Sequence, residues 1–328
     1  MPDDRGSGAV REGRRGFARL RRLRRPRGWV LCASLAVLAS AAVGVHSAVP
    51  PPGPGTTPRA DGPAVRPTTA EADLLHRAEQ LLVRDCMRRA GFRYWPTPPR
   101  PGSGYRDFPY GIDDPAWAAR HGYGRDVVRL LDRAEAASPQ RRYLDGIGEQ
   151  RRRAYGTALN GPAPQGLSMT GPLGGTLTRS DQGCVTESWR RLYGDAQEFF
   201  RGNETLRQLQ SLRTGRVLAD PNYLAAAKRW SACVAGSGQT APNPSALRAG
   251  RLALDEPDAE ARDVAAATAE ARCARSTGLA TTARAVERAR TAELEARYGP
   301  DLRRLWGLQA SALPRARDVV ARDVDDVR

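Results

Sequence analysis

Hydrophobic positions recur at helical spacing through most of the chain beyond residue 69. Leu74, Leu75, Ala78, Leu81, Leu82 and Met87 form one stripe over 70–90, and Arg77, Arg84 and Arg88 lie on the other side. That spacing predicts a surface helix with one buried face, started near Thr69 and Glu71 and ended by Gly91. The same period predicts helices over 115–137, soft at Gly122 and Gly124, and over 139–159, with Tyr143, Leu144, Ile147 and Ala154 inward. A strong run from Cys184 to Leu212 places Val185, Trp189, Leu192, Ala196, Phe199 and Phe200 on one face, with an interruption expected at Gly202-Asn203. Asp220-Pro221 and Asn243-Pro244 mark two further starts, since proline fits the first turn of a helix. Helices over 255–274 and 281–313 complete the series. The last carries Leu294, Tyr298, Leu302, Leu305 and Trp306 as its stripe and Glu293 and Arg297 as an i,i+4 pair, with a kink or split expected at Gly299-Pro300. Two longer loops remain, 92–111 and 160–183, and no segment alternates convincingly enough to be a strand. The predicted class is all-α, an antiparallel helical domain.

The first 49 residues break this pattern. Arginine is dense from Arg14 to Arg27, and Trp29 to Val45 then holds no charged residue. With His46, Ser47 and Ala48 the run over 29–48 reaches the length of a spanning helix. Its basic flank orients it with the N-terminus in the cytoplasm and the bulk of the chain outside. The segment reads as a signal anchor, with a signal peptide cleaved near Ala42 or Ala48 as the alternative. A lipoprotein anchor on Cys32 fits least well, because small residues are missing before it. Residues 49–69 are rich in Pro, Gly and Thr and read as a disordered linker. The expected organisation is a basic cytoplasmic tip at 1–28, the span at 29–48, the linker at 49–69, the helical domain at 70–313 and a frayed tail at 314–328.

Cysteine usage fits that topology. Apart from Cys32, the chain has Cys86, Cys184, Cys233 and Cys273, an even number on the oxidising side. Four cysteines allow three connectivities. Cys86–Cys184 and Cys233–Cys273 are favoured, since each joins the nearest neighbours in sequence and closes a moderate loop. No two lie within four residues of each other and no His is near them, which argues against zinc. CMRRAG, CVAGSG and CARSTG each place Gly five residues after Cys. This spacing reads as a cysteine in the last helical turn followed by a left-handed glycine.

Composition narrows the function classes. The net charge is +16 over 328 residues, yet Lys228 is the only lysine, so the arginine excess reads as genome composition and not as phosphate recognition. Outside the membrane the arginines interleave with Asp and Glu, which argues against nucleic acid as a partner. Aromatic content of 6% argues against a large sandwich or barrel. The glycine-rich GPLGGTLTRSDQG lacks the Lys-Ser/Thr of a phosphate loop, and no cofactor is expected. Of the histidines, His76 reads as a packing residue and His121 has no obvious partner; Asp114 before Pro115 suits a helix N-cap. No catalytic motif emerges. The candidate binding residues are Tyr94, Trp95, Tyr105, Phe108 and Tyr110, aromatics gathered in one loop that could grip a ligand.

Four motifs carry a family resemblance: CMRRAGFRYWP (86–96), YGIDDPAWAARHGYG (110–124), GCVTESWRRLYG (183–194), and WSACVAGSG with ARDVAAATAEARCARSTGL (230–238 and 261–279). Together they resemble a group of secreted or membrane-anchored proteins of actinobacteria such as streptomycetes, over roughly residues 70–313. The resemblance implies the same cysteine pattern and helical fold and brings no catalytic residue. The expected function is a membrane-tethered binding or scaffold protein of the cell envelope, docking an envelope protein, a peptide or a wall polymer. An extracytoplasmic hydrolase with a carboxylate/His site is the alternative.

Overall fold

Thr68 and Glu71 open the first helix with a reciprocal cap. The Thr68 hydroxyl accepts from the Glu71 N–H, and the Glu71 carboxylate accepts from the Thr68 N–H at 2.8 Å. A computed structural model describes residues 65–99, 106–254 and 258–326, which belong to one compact unit. The span expected at 29–48, the tip before it and most of the linker lie outside the described residues. No helix among the described residues is long and apolar enough to cross a membrane.

Eleven helices and one hairpin follow in order among the described residues: α1 (Thr69–Arg89), α2 (Pro115–His121), α3 (Arg125–Ala136), α4 (Pro139–Gly146), α5 (Gly148–Asn160), β1 (Gly166–Thr170), β2 (Thr176–Ser180), α6 (Cys184–Tyr193), α7 (Ala196–Leu218), α8 (Pro221–Ala235), α9 (Pro244–Leu252), α10 (Ala259–Ser276) and α11 (Leu279–Asp326). Short polar side chains start several of them. Asp114, Ser138, Asp195, Asp220 and Asn243 each accept a backbone N–H from the first turn they precede. After the cysteines Gly91, Gly238 and Gly278 all take positive φ, so the Cys-x4-Gly spacing does mark helix ends.

Two main clusters form the core. One packs Ile112, Trp117, Tyr223 and Trp230 with the alanine face of α10 and the first turns of α11. The other packs Leu75 and Leu82 of α1, Trp189 and Leu192 of α6, Phe199 and Phe200 of α7, and Leu305, Ala312 and Ala316 of α11. Between them Leu294 and Leu302 of α11 meet Leu209 of α7, so α11 runs past both clusters. Cys86 is bonded to Cys184, joining the end of α1 to the start of α6, and Cys233 is bonded to Cys273, joining α8 to α10.

The structure corrects several expectations. Residues 160–183 are not a plain loop: β1 and β2 pair antiparallel, from Gly166 opposite Ser180 to Thr170 opposite Thr176. Leu167 and Met169 alternate inward onto the second cluster, and Gln197 of α7 bonds both the N–H and the carbonyl of Ser168. The segment 314–326 continues α11 and is no frayed tail, because Ala316 is fully buried and Arg84 grips Asp323 at 2.5 Å. Gly299-Pro300 does not split α11. Pro300 and Pro314 are exposed, as are Ala296 and Ala310 four residues before them, so the carbonyls that lose a helical partner can turn to water. Glu293 pairs with Arg290 at 2.7 Å and with Arg216, while Arg297 lies over the Tyr298 ring. The run from Cys184 breaks at Gly194, not at Gly202-Asn203.

Gly202 instead marks the close crossing of α7 and α11, where an added Cβ would stand 2.7 Å from Leu305 Cβ. Gly215, further along α7, faces open space. The same substitution should therefore act in opposite directions on one helix. Gly202→Ala is expected to cost about 1–2 kcal/mol net through overpacking. Gly215→Ala is expected to add about 0.5–1 kcal/mol through helix propensity. Urea midpoints at unchanged slope measure both.

Candidate functional site

The five loop aromatics part company in the structure. Tyr94 and Trp95 turn towards α1, α4 and α5. The Tyr94 hydroxyl donates to Gln80 at 2.7 Å, and Trp95 meets Tyr143 with ring centroids 5.7 Å apart. Tyr110 turns to α8 and α11, packing on Tyr223 and donating to Glu287 at 3.2 Å. Tyr105 lies outside the described residues. Tyr110, with Phe108, lines a cavity of about 240 Å³, and Phe108 also enters a larger one, meeting Trp117 with centroids 5.0 Å apart.

That cavity measures about 480 Å³ and is lined by Arg106, Phe108, Ile112, Trp117, Tyr123, Arg125, Val128, Arg129, Arg248 and Leu252. Its volume is within the usual range for small-ligand sites. Four elements hold it. The Asp114 cap fixes the first turn of α2 and with it Trp117, donor to that cap at 3.0 Å. The bond holds the Asp114 carboxyl below its ordinary range, helped by Arg106. Gly122 then turns the chain with φ +55°, so close to α10 that an added Cβ would meet the Asp263 backbone at 2.9 Å. That turn aims Tyr123 inward and starts α3, which brings Arg125, Val128 and Arg129. The first turns of α9 bring Arg248, and its end brings Leu252.

Beneath the cavity lies Glu270 of α10, wholly buried. It accepts the Ile112 N–H at 2.6 Å and the Tyr123 hydroxyl at 2.9 Å, so two lining residues hang from one carboxyl. Burial pushes Glu270 up to about 7, against the lowering effects of the Ile112 N–H, Arg248 and the Tyr123 hydroxyl. Burial first, and then the Glu270 charge, pushes the Tyr123 phenol up as well.

The arginines are unequal. Arg106 is held by Asp114, Arg125 by Asp263 at 2.6 Å, and Arg129 by Glu260. Arg248 has no carboxylate within ion-pair distance among the described residues. Its Nη2 donates to the Phe108 carbonyl at 2.9 Å, while its Nε is buried without a hydrogen bond. Val128 and Leu252 lie at the mouth with 43% and 40% of their surface exposed.

The sequence reading missed Trp117, Tyr123, Arg248 and Glu270. Glu270 had left a signal: with Asp263 it is one of two carboxylates on the stripe of Ala266, Ala267, Ala271 and Ala274. Of the other titratable candidates, His76 Nε2 meets the Thr97 carbonyl at 3.0 Å. His121 does have a partner, Asp126, 2.8 Å from its Nδ1. The cleft beside this pair, shared with Arg120, Arg125, Glu260 and Asp263, has a volume of about 30 Å³. That is room for about one water molecule. No group of three or more His, Cys, Asp or Glu residues among those described could hold a metal ion. Comparison of the chain with protein-family models, with curated proteins and with solved structures finds no match.

Proposed function

We propose that this protein is a membrane-tethered, extracytoplasmic binding protein of the cell envelope, and that the cavity between the 106–114 loop, α2, α3 and α9 is its ligand site. The observation that carries the reading is a cavity of about 480 Å³ with an aromatic wall and an arginine rim, held by a capped helix and a buried carboxyl. Rigid support of this kind suits recognition more than simple packing. Two disulfides favour an oxidising compartment, which agrees with an exterior domain behind the basic and apolar N-terminal segment. The resemblance to the actinobacterial group supports the same location. An envelope protein, a peptide or a wall polymer would supply the group that enters the cavity.

A hydrolase built on His121 and Asp126 is the second reading, favoured by their contact. The cleft beside them is too small for a substrate, so the binding reading is preferred. The test is thermal unfolding of the full chain with soluble fragments of digested cell wall and envelope extract. Binding should raise the midpoint by several degrees, and Val128→Trp, which fills the mouth, should abolish the rise. Equal shifts in both proteins, or none in either, would remove the cavity as the site.

A further inference from the structure

We infer that the group entering the cavity carries one carboxylate on a flat, apolar ring body. The inference rests on the reading of this cavity as a binding site and names its ligand class. Four guanidinium groups line the cavity and, among the described residues, no carboxylate side chain does. Three of the four are already committed: Arg106 to Asp114, Arg125 to Asp263 and Arg129 to Glu260. Arg248 is different. It spends one donor on the Phe108 carbonyl, and its Nε is buried with no bond. A guanidinium has five N–H donors in a fork that matches a carboxylate. An incoming carboxylate would take up N–H groups of Nη1 and Nη2 beyond the one given to the Phe108 carbonyl.

Arg248 has no ion pair among the described residues, and Glu270, the carboxyl within its electrostatic reach, is held towards its neutral form by burial, so the lining calls for one negative charge. A phosphate monoester would bring about two, with a single unpaired arginine to meet them. The rest of the lining sets the body of the ligand. Phe108, Trp117 and Tyr123 offer ring faces and edges, Ile112 closes the bottom, and Val128 and Leu252 flank the entrance. Flat rings gain both buried area and ring–ring contact on such walls. The Arg248 guanidinium is 6.0 Å from the Tyr123 ring centroid, so the anion site and the ring site adjoin.

The test is calorimetric titration of the oxidised full chain with two probes of one shape, 2-naphthoate and 2-naphthamide. The wild-type protein should bind the acid at least ten-fold more tightly than the amide. Arg248→Gln should erase that preference, and Arg248→Lys should restore part of it. A cooperative thermal unfolding transition of each variant shows that it is folded. Equal affinity for the two probes, both abolished by Val128→Trp, would overturn the carboxylate while leaving the cavity as a binding site. Saturable binding of neither probe, binding untouched by Val128→Trp, or a preference unaffected at Arg248 would each overturn the inference.

Discussion

Replacing Cys86 and Cys184 together by alanine is expected to lower stability by about 4–5 kcal/mol, and replacing Cys233 and Cys273 by about 4 kcal/mol. The magnitudes come from the unfolded chain. The first bridge spans 98 residues and the second 40, and a longer closed loop removes more conformational freedom from the unfolded state. Both bridges are also embedded in packed surroundings. Cys86 and Cys184 belong to a cluster with Val83, Met87 and Tyr155, and Cys273 belongs to the cluster around Trp230. Alanine at these positions removes sulfur from well-filled space, which adds a cavity cost to the entropic one. Guanidinium unfolding of the two double variants, oxidised and reduced, checks the expectation. The wild type should lose stability on reduction, and each double variant should lose only the share of its remaining bridge. Non-reducing peptide mass spectrometry on protein from the host's membrane fraction would identify the same pairs in the cell. Free thiols there would contradict the exterior location.

The second large effect is expected at Glu270, and it depends on pH. Its carboxyl titrates near 7 in the folded protein, because burial opposes the charge, against 4.5 for an ordinary glutamate. Between these values the folded state holds a proton that the unfolded state has released. Stability then falls as pH rises, since the folded state binds more protons. Below about 4.5 the contribution is fully present, and above about 7 it is lost. The span corresponds to an effect on the order of 3 kcal/mol. Glu270→Gln should remove it. The glutamine oxygen can still accept the Ile112 N–H, and its amide N–H can donate to the Tyr123 oxygen. Calorimetric midpoints from pH 4.5 to 8 should converge at the acid end, and the variant should be the more stable protein at pH 8. Parallel curves would mean that Glu270 ionises as an exposed glutamate does.

Much of the architecture was legible from periodicity and punctuation. The capping residues Asp114, Asp220 and Asn243, each before a proline, announced three helix starts. The Cys-x4-Gly spacing announced three ends. What misled was local chemistry overruled by tertiary contact. The hairpin at 166–180 hid because few apolar residues, Leu167, Met169 and Leu177, carry its inward face among Gly, Ser and Thr, and its pairing is completed by contacts with α7. Gly202 looked like a breaker but is required by the approach of Leu305. The tail looked polar, yet Ala316 and the Arg84–Asp323 contact fasten it to the bundle. The candidate site was legible only through Phe108. A cluster of aromatics in sequence says nothing of which way each ring turns, and here the loop sends them to different neighbours. Arg248 and Glu270 come from segments more than 100 residues downstream, and only the fold could bring them to the cavity.

The continuity of α11 has a consequence for how the chain can change in length. Its first turns belong to the cluster around Trp230, and its later turns, from Leu305 on, belong to the cluster around Trp189. Between Val286 and Leu305 the helix therefore acts as a gauge of both angle and distance. One inserted residue would rotate everything beyond it by about 100° and displace it by about 1.5 Å. No small number of residues restores both the angle and the distance, so insertions and deletions are excluded from this stretch. They are admitted where the chain turns in solvent, as at Gly174-Gly175 of the hairpin tip. Length variation among descendants of this sequence should be written there, and the gauge should keep its count.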